Sequence, residues 1–177
     1  MFLKSSLIIA LIIMGSIESK AQVEVLRVSV KDFKAFGFVG FLNFSFPISE
    51  ETTYLTIERG YQYLKDEYDD VVGYIPVLLG YRYTLDRSGS GLFVEPFGGY
   101  SFGDANIYKY TDDGYAVYDD EGMQVKEKVA GPTVGLGFGY LFPSEDNRKY
   151  NLALRYSRTI SEAHTNTFGL RFSYNFF

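Results

Sequence analysis

At 177 residues the chain is long enough for one domain with a sizeable core and too short for two ordinary ones. It carries 16 Tyr, 16 Phe and 18 Gly but no Cys, which excludes a disulfide framework and any thiolate metal or nucleophile site. Acidic residues outnumber basic ones 22 to 17, for a net charge of −5, so nothing points to a nucleic-acid partner.

The first 21 residues, MFLKSSLIIALIIMGSIESKA, differ from the rest. Lys4 precedes a short apolar run, and Ser19-Lys20-Ala21 places small residues where a signal peptidase inspects them, so cleavage is expected between Ala21 and Gln22. A membrane anchor is the alternative, but the uncharged run from Ser5 to Ile17 is 13 residues, short of the roughly 20 a spanning helix needs. The mature chain would be 22–177, with a formal charge of −6 once Lys4, Glu18 and Lys20 are gone.

Beyond that point apolar residues recur at every second position, the mark of strands with two unlike faces. The segment 23–32 is the weakest, with Leu26, Val28 and Val30 set against Arg27, Ser29 and Lys31. In 36–47, Phe36, Phe38, Leu42, Phe44 and Phe46 share a face opposite Gly37, Val39, Phe41, Asn43 and Ser45. Segment 53–64 puts Leu55, Ile57, Tyr61 and Tyr63 opposite Thr56, Glu58, Gly60 and Gln62, with Arg59 breaking the apolar side. Segment 71–84 sets Ile75, Val77, Leu79, Tyr81 and Tyr83 against Tyr74, Pro76, Leu78, Gly80 and Arg82. Segment 91–103 sets Leu92, Val94, Tyr100 and Phe102 against Phe93, Glu95, Phe97 and Ser101. In 129–142, Val134, Leu136, Phe138 and Tyr140 alternate with Thr133, Gly135, Gly137 and Gly139. Segment 149–160 places Tyr150, Leu152, Leu154 and Tyr156 opposite Asn151, Ala153, Arg155 and Ser157. The closing segment, 166–177, alternates Phe168, Leu170, Phe172, Tyr174 and Phe176 with Gly169, Arg171, Ser173 and Asn175.

Eight strands of this length suit an antiparallel up-and-down barrel whose tilted strands cross a bilayer. No helix is apolar and long enough to do so, and hydrocarbon admits only helices and closed sheets. The compact connections 48–52, 85–90 and 143–148 alternate with a set that includes the long segment 104–128. Short turns and both termini are periplasmic in bacterial outer-membrane barrels, so 104–128 is expected outside, as a surface for a protein partner.

A soluble barrel would turn its apolar face inward. An eight-stranded interior barely accommodates ordinary packing and has no room for roughly forty bulky side chains, whereas such a band exposed to water would aggregate. The aromatic face is therefore expected in lipid, with Tyr81, Tyr83, Tyr100, Tyr140, Tyr156 and Tyr174 near the headgroups, where lipopolysaccharide would be a neighbour. The last strand must pair with the first to leave no open edge in lipid, which is why its alternation persists to the carboxylate.

The runs FGFVGFLNFSFPISEE, YIPVLLGYRY, FVEPFGGY, GPTVGLGFGY and LALRYS followed by GLRFSYNF resemble the small outer-membrane β-barrel domain family, which includes PorT-like proteins and OmpA/OmpX-type barrels. The resemblance implies fold and location and brings no catalytic residues. The terminal aromatic strand, with Tyr174, Phe176 and Phe177, also resembles the sorting signal read by barrel-assembly machinery.

Five charges fall on the inward face: Glu58, Arg82, Glu95, Arg155 and Arg171. Reflection through the turns sets Arg82 nearly opposite Glu95, and Arg155 nearly opposite Arg171, a like-charge pairing unfavourable alone. Glu58 is expected to reach across and neutralise the two arginines. The resulting ionic network would plug the lumen; a small solute channel lined by these charges is the competing reading. An outer-membrane lipid-modifying enzyme would have to use His164, the sole histidine, with Ser161 and Glu162 in one short loop. Acidic groups Asp69-Asp70, Asp112-Asp113 and Asp119-Asp120-Glu121 lack calcium-loop spacing and read as turns. No cofactor or metal is expected, and the glycines of 135–139 read as lumen packing rather than a phosphate cradle.

Overall fold

The computed structural model describes residues 18–30, 33–49, 52–65, 71–86, 90–105, 111, 115–125, 129–143, 150–162 and 164–175. Eight strands follow one another: β1 (Glu18–Val30), β2 (Phe33–Ser49), β3 (Thr53–Lys65), β4 (Val71–Thr84), β5 (Gly91–Ala105), β6 (Gly131–Phe142), β7 (Tyr150–Thr159) and β8 (Thr165–Asn175). Each pairs antiparallel with its sequence neighbour, and β8 returns to β1, closing the barrel. Closure satisfies the backbone donors and acceptors that an open edge would leave bare.

Most expected boundaries shift by a few residues. The largest differences are that β1 already begins at Glu18 and that β2 spans Phe33–Ser49. Residues 31–32, 66–70, 106–130 and 160–164 connect strands at one end, called the loop end below; the start of β1, the end of β8 and the remaining connections lie at the other, the turn end. Inside the long connection a small ribbon forms: the Val125 amide donates to the Val117 carbonyl at 2.8 Å and the Asp119 amide to that of Met123 at 2.8 Å. Asp119 Oδ1 accepts from the amides of Glu121 (3.0 Å) and Met123 (2.8 Å), and Gly122 supplies the positive φ of 77° that the turn needs.

The bulky face points outward. Phe168, Leu170 and Phe172 are 54%, 46% and 50% exposed, while Arg155 and Arg171 are buried. Phe36, Phe38, Leu79, Leu136, Phe138, Leu152 and Leu154 share the outer face with them. On β1 the expected faces are reversed: Leu26 and Val28 point inward, while Val23, Val25 and Arg27 point outward. Both faces of β1 are apolar over part of their length, so its own alternation is ambiguous. Closure fixes the register, because Val25 pairs with Phe38 on one side and Leu170 on the other, both outward.

The lumen is filled in layers. Leu26, Val28, Ala35, Val39, Phe41, Leu64, Tyr74 and Val129 form an apolar cluster, and Phe93, Leu141 and Ala153 form a second at the turn end. Interior aromatics fit because glycines face them. A Cβ on Gly60 would strike the Phe41 ring, and one on Gly135 would strike that of Phe97. Prolines interrupt the ladders: paired positions are missing between Arg59↔Val77 and Gln62↔Tyr74, beside Pro76, and between Gly80↔Phe97 and Tyr83↔Val94, beside Pro96, with the register unchanged across both gaps, whereas the β2–β3 register shifts between Pro47 and Ser49. Pro132 is the second residue of β6. Each lacks a ladder donor.

Candidate functional site

Between the two apolar clusters the strands deliver polar side chains from seven directions. Glu24 and Gln22 come from β1, Asn43 from β2, Glu58 and Thr56 from β3, Arg82 from β4, Glu95 from β5, Arg155 from β7 and Arg171 from β8, all buried. The sixth strand contributes room instead: its inward positions 135, 137 and 139 are glycine. Among the described residues the inward charges are three glutamates and three arginines, so the layer is neutral overall.

Glu58 is the hub. Its Oε2 accepts from Arg155 Nη1 at 2.8 Å and its Oε1 from Arg171 Nη1 at 2.5 Å, with Asn43 Nδ2 donating to Oε1 at 2.7 Å. Ser45 in turn donates to Asn43 Oδ1 at 2.8 Å, which fixes the amide's orientation. Arg171 also donates through Nε to Glu24 Oε2 at 2.9 Å and through Nη1 to Gln22 Oε1 at 2.7 Å. Arg155 Nη1 lies 3.9 Å from Glu24 Oε2. Glu24 therefore gives the Arg155–Arg171 pair a second counter-charge.

A second group lies closer to the turn end. Arg82 donates to Glu95 Oε2 through Nη2 (2.8 Å) and Nε (3.1 Å), and Thr56 Oγ1 donates to Glu95 Oε1 at 2.7 Å. Aromatic faces complete the surroundings of all three cations. The Arg155 guanidinium lies 3.9 Å from the centre of Phe97, that of Arg171 4.3 Å from Phe41, and that of Arg82 4.7 Å from Phe93. Charge-assisted bonds and stacked rings thus span the lumen, and two small cavities lie among the described residues. One cavity of about 20 Å³ touches Glu24, Phe41, Arg155 and Arg171. Another of about 10 Å³, towards the loop end, is rimmed by Ser101, Thr133, Ser157, Thr159, Thr165 and Thr167. Each has room for about one water.

All five charges named from the sequence face this layer. Glu24, Gln22, Asn43 and Thr56 were not among them. The alternation places Asn43 and Thr56 on inward faces without a role, whereas within 23–32 Glu24 shares the parity of Leu26 and Val28, the face expected outward. A glutamate between Val23 and Val25 was the available signal.

The remaining candidate residues are scattered. Gln22 bonds Arg171 within the lumen, and the backbone of Ala21 pairs with Leu42 and Tyr174. Tyr174 stacks on Tyr150 at 5.0 Å, while Phe176 and Phe177 lie outside the described residues, as do Asp69-Asp70 and Asp112-Asp113. His164 is exposed at φ 32°, its amide donating to the Ser161 carbonyl at 3.3 Å. Ser161 Oγ has no hydrogen-bond partner, so no nucleophile–base pair is formed there. No group of metal-binding side chains occurs among the described residues.

No protein-family model and no curated protein matches the sequence. Solved structures do match in fold. Neisserial surface protein A superimposes with a TM-score of 0.56 at 14% identity, covering 91% of this chain and 97% of that one. Ail, the attachment invasion locus protein of Yersinia pestis, gives 0.57 at 15% identity, covering 91% and 99%. Both are small eight-stranded outer-membrane barrels, and at this identity the likeness is one of fold.

Proposed function

We propose that this chain is an outer-membrane barrel protein with a structural or interaction role, its lumen plugged and its long connection, 104–128 as read from the sequence and 106–130 between the observed strands, presented outside the cell. Both termini then lie in the periplasm, and the residues before Gln22 are removed on export. The observation that carries this reading is the contrast between the two faces of one sheet. The outer face is an apolar and aromatic band interrupted at mid-strand by Arg59, while the inner face is closed by paired charges and stacked rings.

Against a solute channel stand the ion pairs that span the lumen, Arg155 and Arg171 on Glu58 and Arg82 on Glu95, and two adjoining cavities of about 10 and 20 Å³, each too small for a hydrated ion. The separation of Ser161 Oγ from any base disfavours a lipid hydrolase. Interaction is left to the connection outside the barrel, where Tyr115, Tyr118 and Met123 are 73%, 62% and 63% exposed beside Asp119, Asp120 and Glu121. Affinity capture from intact cells with the full barrel and with a form lacking 104–128 tests the role. A protein partner retained only by the full barrel supports the interaction reading, and equal recovery by both removes it. Peptide sequencing of the mature protein is expected to begin at Gln22.

A further inference from the structure

Among the described side chains, the cations on the outer surface are not spread evenly. Pairing places Lys34 (β2), Ser29 (β1), Asn166 (β8) and Arg158 (β7) in one row across four adjacent strands near the loop end. Two residues further from that end, Phe36, Arg27, Phe168 and Tyr156 form the next row on the same strands. Lys34, Arg27 and Arg158 are exposed on the outer face, and Ser29 and Asn166 half-buried. Adjacent strands lie about 4.8 Å apart, so the upper row spans roughly 14 Å, with Arg27 beneath its middle.

The geometry is organised around the rings below it. Tyr156 Oη donates to Asn166 Oδ1 at 2.9 Å, which turns the Asn166 amide nitrogen away from the tyrosine. The Arg27 guanidinium lies 5.7 Å from the centre of Phe36, close enough for the ring to hold it against the outer surface. Long basic side chains in such a place keep their stems on apolar surface and lift their charges towards the headgroups. No described side chain on the outer face of these four strands is a carboxylate. At the turn end the corresponding outward positions are Tyr81, Tyr83, Leu92, Tyr140, Phe142 and Tyr150, with no cation among the described side chains.

We propose that this patch is a binding site for the phosphorylated headgroup of a lipid in the loop-end leaflet. Lys34, Arg27 and Arg158 neutralise the phosphate, Ser29 and Asn166 donate hydrogen bonds to it, and the acyl chains lie over Phe36, Phe168, Phe38 and Leu170. The assignment rests on the reading of the aromatic face as lipid-embedded. A phosphate rather than a carboxylate is favoured because three cations share these four adjacent strands near the loop end and several of its oxygens can accept at once.

The test uses the full barrel in nanodiscs of phosphatidylcholine doped with lipid A or phosphatidylglycerol, with retained lipid measured by native mass spectrometry. The phosphorylated lipids are expected to be retained in preference to phosphatidylcholine, and millimolar inorganic phosphate is expected not to compete. Each cation near a membrane surface contributes roughly fivefold, so the R27Q/K34Q/R158Q variant is expected to lose on the order of a hundredfold. R59Q removes an outward arginine from mid-strand, between Leu42 and Val77 and off the patch, and is expected to retain lipid as the parent does. R27K/R158K keeps the charge and is expected to keep the lipid. Parent-like retention by the triple variant, or an equal loss in R59Q, overturns the site. If the triple variant does not insert, K34Q and R158Q singly carry the test at about fivefold each, and no change in either is equally fatal. Heat-modifiable gel mobility in vesicles is read separately: a parent chain that never inserts defeats the membrane reading, whereas one that inserts without preferring phosphorylated lipid defeats only this site.

Discussion

Glu58 joins the Arg155 and Arg171 guanidiniums inside the lumen. Its two oxygens meet Arg155, Arg171 and Asn43, so E58A strands two guanidinium groups between apolar layers. Breaking a buried pair in this way costs about 3–5 kcal/mol, to be read from urea unfolding in lipid vesicles; a loss under about 1 kcal/mol would show that Glu24 and Gln22 suffice. The Arg82–Glu95 pair makes the opposite case. Replacing both together, R82M with E95L, is expected to be near neutral or stabilising, because neither desolvated charge then remains, whereas E95L alone loses several kcal/mol. Gly60 tests packing at the same scale. The nearest atoms to the space a Cβ would take there belong to the Phe41 ring, so G60A is expected to cost about 1–3 kcal/mol and G60A/F41L to regain part of it.

Strands were the most legible level of the sequence, for a reason that also marks where the reading failed. In β8 the two faces differ in size and polarity from Thr167 to Ser173, so Phe168, Leu170 and Phe172 declare themselves against Gly169, Arg171 and Ser173. In β1 the valines at 23 and 25 and the apolar pair at 26 and 28 belong to opposite faces. No local pattern separates them, and only the neighbours β2 and β8 decide. Glu24 shares the parity of Leu26 and Val28, so the second counter-charge of the site is hidden with them. The five charges that were read lie on strands whose faces are unlike. Substitution on the lipid side tests the element directly: L170R, midway along β8 and flanked by Val25 and Leu154, is expected to destabilise the inserted barrel by about 2–4 kcal/mol. The same change made in detergent-free water should show no such penalty if that face does not meet hydrocarbon.

For the whole molecule, the layered lumen implies silence in a planar bilayer. The intact barrel is expected to give no stable conductance steps, and recurrent steps at fixed amplitude would end the plugged reading. The seam where β1 meets β8 has a further consequence in time. Arg171 reaches Gln22 and Glu24, partners 149 and 147 residues away, so the charged layer cannot assemble until the last strand exists. A chain stopped after Ile160 is expected to lack the heat-modifiable form altogether rather than show a weaker one. During synthesis and transit, then, every partial product is a ribbon with two raw margins and an oily back. The cell must keep it chaperoned, without any folded intermediate to rely on, until its final residues have been made.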